Sequence, residues 1–198
     1  MIDALYNTLI YQDRWKFFVT GIGNTLLMTV IASVIGIIIG VLIALIKIQH
    51  SQTGRLAVLA RICGVYTTVI RGTPVVVQLL IFWNVIFPSA PMHLAVYGAG
   101  MAFGLNSGAY VSETIRAGIQ SIDKGQTEAG RSLGLSQAQT MRLIILPQAF
   151  KNILPALFNE FISLVKETSV AGWISVMDIT YAGDQVRTRV WNIMPLLV

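Results

Sequence analysis

Charged residues are scarce in this sequence. Of its 198 residues, 12% are Asp, Glu, Lys or Arg and 55% are hydrophobic, whereas a typical soluble domain has roughly 25% charged residues. Two long stretches, 21–46 and 75–111, carry no charge at all. Because about 20 consecutive apolar residues are enough to cross a bilayer, the composition argues against a soluble protein. It predicts an all-α, polytopic membrane helix bundle.

Residues that bind metals or catalyse reactions are also sparse. Cys63 is the one cysteine, which excludes an intramolecular disulfide and a thiolate metal cluster. His50 and His93 are far apart in sequence, so we interpret them as interfacial residues and not as metal ligands. The sequence lacks a phosphate-binding loop, a dinucleotide-binding glycine pattern and the short hydrolase motifs. We therefore expect no catalytic site, metal site or cofactor in this chain.

Basic residues lie at the ends of the hydrophobic runs. They do not form one patch with interleaved aromatic residues, as a nucleic-acid-binding surface would. Lys47, Arg55 and Arg61 follow the first run with no acidic residue among them, and short loops rich in Lys and Arg are typically cytoplasmic. The pattern predicts that the N-terminus is outside the cell.

The hydrophobic runs predict a single transmembrane domain over 1–198 with about five spans. Residues 1–16 alternate apolar and polar positions, which is typical of a helix lying at the membrane interface. Another apolar run begins in "WNIMPLLV", at 191–198, and we interpret it as a last span that is cut short. The four full spans are expected at 17–48, 62–87, 94–119 and 144–173.

Small residues recur every four positions in two spans. Ala32, Gly36, Gly40 and Ala44 form one row, and a second row consists of Gly100, Gly104, Gly108 and Ser112. Such rows let helix backbones approach closely in lipid. They predict packing seams.

The fourth span has one polar face. Its polar residues fall within an arc of roughly 120° at the helical repeat, and ionisable groups in a membrane are costly unless they face a protein interior or water. The face therefore predicts the lining of a path, although structural pairing with neighbouring helices is an alternative. The residues on this face are Asn152, Ala156, Asn159, Glu160, Ser163, Lys166 and Glu167.

Further polar residues lie on the second and third spans. Thr67, Arg71, Pro74 and Gln78 share a face of the second span, and Glu113 lies at a comparable depth on the third. We therefore expect a contact between Arg71 and Glu113. The full predicted substrate pathway consists of Arg71, Thr73, Gln78, Glu113, Asn159, Glu160, Ser163, Lys166 and Glu167.

The polar segment 120–142 predicts a rigid elbow between the third and fourth spans. Asp123 followed by Gln126, and Ser136 followed by Gln139, match the capping pattern that starts a helix. Gly134 suits the left-handed position that ends one. The spacing predicts a short helix between them, with a ridge of small and mildly apolar residues. The ridge consists of Gln126, Ala129, Gly130 and Leu133.

This segment resembles the EAA loop of permease subunits of ABC importers. The family pattern is met by Glu128, Ala129, Gly134, Ile144, Leu146 and Pro147, and Gly130 stands where the pattern has a second alanine. The stretches "RGTPVVVQ", "YVSETIRAGIQSIDKGQ", "ILPQAF" and "VKETSV" extend the resemblance to the polar amino-acid branch of that family.

The resemblance implies a MetI-like fold in the bacterial cytoplasmic membrane. It also implies a second permease subunit, identical or related, two cytoplasmic ATPase subunits that hold Mg-ATP, and an external amino-acid-binding protein. A polar or charged amino acid would cross by alternating access. The coupling residues in contact with the ATPase would be Gln126, Glu128, Ala129, Gly130, Leu133 and Gly134.

Two alternative transporters stay open at this point. One is an importer of the same kind for another small polar solute. The other is a channel or an ion-driven secondary transporter, which the polar face alone would permit. A membrane scaffold or assembly factor is a further hypothesis, and it predicts that substitutions on the polar face have no effect.

Overall fold

The computed structural model describes Tyr6 and residues 10–191. All regular secondary structure in that part of the chain is helical, which confirms the all-α prediction. The beginning of a last span was predicted at 191–198, and residues 192–198 of it lie outside the described residues. So do 1–5 and 7–9 of the predicted interfacial segment.

The described chain forms eight α-helices joined by short turns. The α-helices are α1 Trp15–Thr53, α2 Ala57–Gly72, α3 Val75–Ile81, α4 Ala95–Gln120, α5 Lys124–Ser132, α6 Gln137–Thr140, α7 Leu146–Glu167 and α8 Ile179–Val190. A π-helical turn, Phe82–Ile86, follows α3, and another, Met141–Ile145, joins α6 to α7. Short 3-10 helices occupy Tyr11–Asp13, Met92–Leu94 and Thr168–Ile174.

The helices predicted for the first and third spans are confirmed by α1 and α4. Helix α4 matches its predicted bounds within one residue, and α1 extends beyond its bounds at both ends. Its first residue, Trp15, falls inside the segment that was expected to form a separate interfacial helix. Gln12 and Asp13 have positive φ angles of 54° and 57°, so the described part of that segment is a 3-10 turn and not a continuous helix.

The second predicted span is wrong as a continuous helix, because the chain breaks between α2 and α3. Pro74 adopts an extended conformation, with ψ 137°. Proline lacks a backbone N–H and pushes the preceding residue out of the α region. The Gln78 side-chain amide donates to the Thr73 carbonyl oxygen at 3.0 Å and to its hydroxyl at 2.7 Å. These bonds fix the break.

The fourth predicted span ends as an α-helix at Glu167, six residues before its expected end, and continues as the 3-10 helix. Helix α8 was missed because its sequence is polar and carries no long apolar run. A local signal was present: the Asp178 carboxylate accepts from the Tyr181 backbone N–H at 2.6 Å, which is the usual role of Asp before a helix.

The chain folds into two compact units built from interleaved segments. The first takes its residues from Met1–Val34, Thr73–Gly104 and Ser163–Val198, and the second from Ile35–Gly72 and Leu105–Ile162. The single transmembrane domain over 1–198 stays a prediction.

The first unit has an apolar core and a polar joint. The core includes the fully buried Met28, Leu79, Phe103 and Leu164. At the joint, the Asn24 amide donates to the Met177 carbonyl at 2.9 Å, and the Ile179 N–H donates to the Thr25 hydroxyl at 3.3 Å. These bonds attach the beginning of α8 to the beginning of α1.

The second unit is held by the predicted small-residue seam. A Cβ on Gly36 would lie 2.8 Å from the Ser107 hydroxyl, and one on Gly40 would lie 2.4 Å from Val111 Cγ1. The backbones of α1 and α4 therefore approach closely there, as expected for helices that associate without a hydrophobic driving force.

One described stretch, Tyr11–Thr53, is long and apolar enough to cross a membrane by itself. Helix α2 passes the same test together with α3 and the π turn that follows α3, as one broken span. Helix α4 has 26 residues and α7 has 22, so each is about 33 Å or longer, but neither is apolar enough to pass the same test.

Gly40→Ala should destabilise the protein because its new Cβ would meet the stiff, buried Val111 side chain. We expect a loss of about 1–3 kcal/mol in the free energy of unfolding, the usual cost of overpacking. Gly23→Ala on the same helix is the matched control, since no atom lies within 4 Å of its Cβ position. Thermal unfolding in detergent micelles measures both variants. Equal shifts would contradict the seam.

Candidate functional site

The elbow between α4 and α7 begins with a capped helix. The Asp123 carboxylate accepts from the Gly125 N–H at 2.7 Å at the beginning of α5, which confirms Asp123 as a helix cap. The capping pattern also predicts that the Gln126 side chain accepts from the Asp123 backbone N–H, and this part of the prediction is wrong. The Gln126 side-chain oxygen accepts from the Gln148 amide at 3.3 Å instead, so Gln126 ties α5 to the first turn of α7.

Helix α5 ends in a Schellman motif. Gly134 has a φ of +84°. The Leu135 N–H donates to the Gly130 carbonyl at 3.1 Å, and the Gly134 N–H donates to the Arg131 carbonyl at 3.0 Å. This bond pair defines the motif, whose left-handed position favours glycine. The prediction of Gly134 as the helix terminator is confirmed.

The next helix begins two residues later with a complete capping box. The Ser136 hydroxyl accepts from the Gln139 N–H at 3.3 Å, and the Gln139 side chain accepts from the Ser136 N–H at 2.8 Å. The chain then continues through the π turn Met141–Ile145 into α7. The predicted rigid elbow is confirmed, because hydrogen bonds fix both ends of α5 and the beginning of α6.

The exposed ridge of α5 differs from the predicted one at one position. Gln126, Ala129 and Leu133 are exposed, and Leu133 is 81% exposed. Gly130 is buried, and a Cβ there would lie 2.7 Å from Thr140 Cγ2. The prediction that Gly130 belongs to the exposed ridge is therefore wrong. Gly130 allows α5 to pack closely against α6, and Glu128 and Gly134 are exposed beside the ridge.

A cluster of charged side chains joins three helices of the second unit. Lys47 Nζ lies 2.7 Å from Glu113 Oε1 and donates to the Thr67 hydroxyl at 2.9 Å. Arg116 Nη2 lies 2.7 Å from Glu113 Oε2. Two cations therefore hold the Glu113 carboxylate, with the Lys47 and Glu113 side chains only 15% and 18% exposed.

The predicted contact between Arg71 and Glu113 is wrong. Among the described residues, both carboxylate oxygens of Glu113 pair with Lys47 and Arg116, while the Arg71 guanidinium lies 5.3 Å from the centre of the Tyr110 ring. Lys47 reaches Glu113 from α1, and Arg116 reaches it from one turn further along α4. Arg71 is left to stack on Tyr110, a geometry that favours a cation.

Sequence reasoning missed Lys47 as a partner because 66 residues separate it from Glu113. A usable signal existed, since Lys47 and Glu113 are the first charged residues after the two uncharged runs. All three side chains, Lys47, Arg71 and Glu113, line a cavity of about 550 Å³ with Tyr110 and Thr67.

The polar face of α7 is only partly enclosed within this chain. Glu160 is half-buried and accepts from the Ser107 hydroxyl at 2.8 Å. Asn152 donates to the Ser121 hydroxyl at 2.9 Å. Asn159 and Lys166 are exposed, and Ser163 and Glu167 are half-buried. The face is thus in place on α7, and its role as a substrate pathway stays a prediction.

Thr73 and Gln78, two other predicted pathway residues, bond each other across the Pro74 break. In the described ranges, no group of three or more His, Cys, Asp or Glu residues could hold a metal ion.

Known proteins similar to this chain are membrane transport components. The family described as "Binding-protein-dependent transport system inner membrane component" matches residues 36–187. A putative glutamine transport system permease protein of Rickettsia prowazekii (strain Madrid E) is 39% identical, over 96% of this chain and 86% of the relative. An arginine transport system permease protein of Bacillus subtilis (strain 168) is 40% identical, over 92% and 82%. An L-cystine transport system permease protein of the same organism is 38% identical, over 96% and 78%.

Solved structures show the same similarity. A crystal structure of an amino acid ABC transporter with histidines aligns with a TM-score of 0.81 at 40% identity, covering 92% of this chain and 83% of that one. The inward-facing MetNI methionine ABC transporter aligns with a TM-score of 0.74 at 21% identity, covering 95% and 88%. That second alignment shows the shared fold.

Lys47→Met should destabilise the second unit because it leaves the partly buried Glu113 carboxylate with one cation instead of two. We expect a loss of about 2 kcal/mol in the free energy of unfolding. The double variant Lys47→Met with Glu113→Gln should recover part of that loss. Thermal unfolding of the two single variants and the double variant measures the coupling.

The control for this cycle is Lys16→Met, which breaks the exposed pair with Asp13, whose side chains are 61% and 63% exposed. Exposed pairs contribute little, so this variant should unfold like the wild type. Strictly additive losses at Lys47 and Glu113 would contradict the ion pair.

Proposed function

Because the chain belongs to the family of binding-protein-dependent transport system inner membrane components, we propose that it is the permease subunit of an ABC importer for a polar or charged amino acid. Its similarity to permeases named for glutamine, arginine and cystine transport supports this substrate class. So does its alignment with an amino acid ABC transporter. Selectivity within the class is left to the polar face of α7 and to the binding protein.

The observation that carries the proposal is the rigid elbow with its exposed ridge. Helix α5 is capped at both ends and joined through α6 and one π turn to α7. Leu133, an apolar side chain, is 81% exposed on this polar segment. An exposed apolar contact on a rigid lever suits the groove of another protein, because a push there moves α7 and not only a loop.

The partners in this proposal are an ATPase dimer, a second permease subunit and an external binding protein. The second permease subunit is this chain again or a relative. Mg-ATP binds to the ATPase subunits, and this chain contributes no catalytic group. When ATP closes the ATPase dimer, the two α5 helices move together and the permeases open outward. Hydrolysis returns them to the inward-facing state.

The proposed membrane arrangement has the N-terminal end of α1 outside the cell. Arg55, in the loop between α1 and α2, and Arg61, near the beginning of α2, then lie in the cytoplasm, at the same side as the elbow. Helices α1, α4 and α7, and the broken pair α2 and α3, each cross once. The contacts of Asn24 and Thr25 with Met177 and Ile179 support an external α8.

Glu160 is the group best suited to bind the substrate. Its carboxylate is half-buried on a spanning helix, accepts from Ser107, and has no cationic partner within the described part of the chain. An uncompensated carboxylate in this environment is costly. An α-ammonium or a cationic side chain of the substrate would offset that cost when bound.

The remaining pathway residues complete the proposal. Asn159, Ser163, Lys166 and Glu167 share the polar face of α7 with Glu160. Of the predicted residues on the other spans, Thr73 and Gln78 stay in the proposed pathway, whereas Glu113 acts through its ion pairs and Arg71 lines a separate cavity.

The two alternatives are less consistent with these features. A channel or ion-driven secondary transporter has no use for a doubly capped cytoplasmic helix with an exposed leucine. An importer for another small polar solute shares the elbow, and only the substrate test separates it from an amino-acid importer.

Glu128→Arg should abolish the coupling of transport to ATP hydrolysis. Proteoliposomes are prepared with this chain, its partner ATPase and binding protein loaded with each amino acid in turn. In the wild type, one group of amino acids should stimulate hydrolysis. In the variant, the stimulation of ATP hydrolysis should be at least about tenfold lower, because a reversed charge at an interface costs several kcal/mol. Arg55→Glu, an exposed reversal on another cytoplasmic loop, should retain it. Solute flux without ATP in the wild type would overturn the proposal.

Glu160→Gln should reduce amino-acid uptake by about tenfold or more, because a charge-assisted hydrogen bond becomes a neutral one. The substitution keeps the side-chain size and an acceptor for Ser107, so the thermal unfolding midpoint should be retained. Radiolabelled uptake in the same proteoliposomes measures the effect. Unchanged uptake would remove Glu160 from the pathway.

A further inference from the structure

The cavity lined by Lys47, Arg71 and Glu113 lies at the cytoplasmic boundary of the apolar runs. Lys47 is the first charged residue after the uncharged stretch 21–46, and Glu113 is the first after 75–111. The side chains bond each other, so the two boundaries lie at one level. In the proposed membrane arrangement, that level is where the headgroups of the cytoplasmic leaflet begin.

The cavity is large enough for a headgroup and open on one side. Its volume is about 550 Å³, within the range of roughly 300–1,000 Å³ typical of ligand sites. A Cβ on Gly64 or Gly72 would meet no atom within 4 Å, and Thr68 and Arg71 are exposed at the same rim. An incoming group therefore meets no side chain on the glycine side.

The charge of the cavity favours an anion. Two cations, Lys47 and Arg71, and one carboxylate, Glu113, line the cavity, which gives the lining a formal charge of +1, and Arg116 pairs with Glu113 from outside the lining. Lys47 and Arg116 engage Glu113. Arg71 has no acidic partner among the described residues and rests on the face of the Tyr110 ring, so its donors remain available at the rim.

We propose that this cavity binds the phosphate of an anionic phospholipid from the cytoplasmic leaflet. The planar guanidinium of Arg71 presents paired donors that match phosphate oxygens, and the Tyr110 ring holds it in place. Lys47 and Arg116 neutralise Glu113 and leave the field of the cavity positive. Basic pockets between helices on the cytoplasmic side are a known form of lipid site.

A substrate carboxylate suits this cavity less well. Transporter substrates bind near the midplane of the bilayer, whereas this cavity lies where the uncharged runs end. A lipid phosphate is already present at that level at high local concentration. The inference rests on the membrane arrangement in the proposed function but not on ATP-driven transport.

Lipid retention tests the proposal. The protein is placed in nanodiscs of phosphatidylcholine with phosphatidylglycerol, and native mass spectrometry counts the phosphatidylglycerol molecules it retains. The wild type should retain one more phosphatidylglycerol molecule per chain than Arg71→Gln does. Its preference for phosphatidylglycerol over phosphatidylcholine should be about fivefold higher, which is the contribution expected of one basic side chain near the membrane surface. Arg61→Gln, an exposed change on the same helix that does not line the cavity, should behave like the wild type.

Two further arms identify the source of the anion. Inorganic phosphate or an amino acid that displaces phosphatidylglycerol from the wild type would overturn the lipid assignment in favour of a soluble anion. Equal retention by Arg71→Gln and wild type would also overturn it. Arg71→Lys keeps the charge and should restore part of the retention, even if Arg71→Gln folds poorly. Because the readout needs neither ATPase nor uptake, its failure is distinct from failure of the importer proposal.

Discussion

The hydrogen bonds that close both ends of α5 are the interaction on which the proposed coupling mechanism depends. Asp123 closes the first turn, and the Schellman motif at Gly134 closes the last. The capping box at Ser136 begins the next helix within two residues. A nine-residue helix is marginal by itself in water. Helix α5 is fixed at both ends, and Gly130 packs against Thr140. These contacts hold α5 in a fixed position relative to α7.

The charges within the spanning helices divide into two kinds. Glu113 is satisfied by Lys47 and Arg116, and a satisfied group of this kind fixes helices in place. Glu160 accepts one hydroxyl hydrogen bond from Ser107, and a carboxylate with so little compensation is suited to a cationic ligand. The same physical cost thus separates a structural cluster from a candidate binding residue. It also places Arg71, stacked on Tyr110, outside the structural cluster.

Local signals predicted much of this chain, and nonlocal contacts did not. The helix caps at Asp123 and Ser136 and the terminator at Gly134 follow from rules that act within four residues, so the elbow could be predicted. The partner of Glu113 could not, because depth along a helix does not reveal which neighbour faces it. Close helix packing at Gly40 was predicted correctly, but the sequence did not identify Val111 as the residue that packs against it. Helix α8 was missed because its stability comes from its cap and its buried face, not from an apolar run.

The most direct test of the account is the environment of residue 133. A nitroxide label on Leu133→Cys, in a Cys63→Ala background that removes the one native cysteine, reports side-chain mobility by electron paramagnetic resonance. The account predicts a mobile label in the permease alone and an immobilised label when the partner ATPase is added. A label that stays mobile while the ATPase remains bound would contradict the role of α5 as the coupling helix.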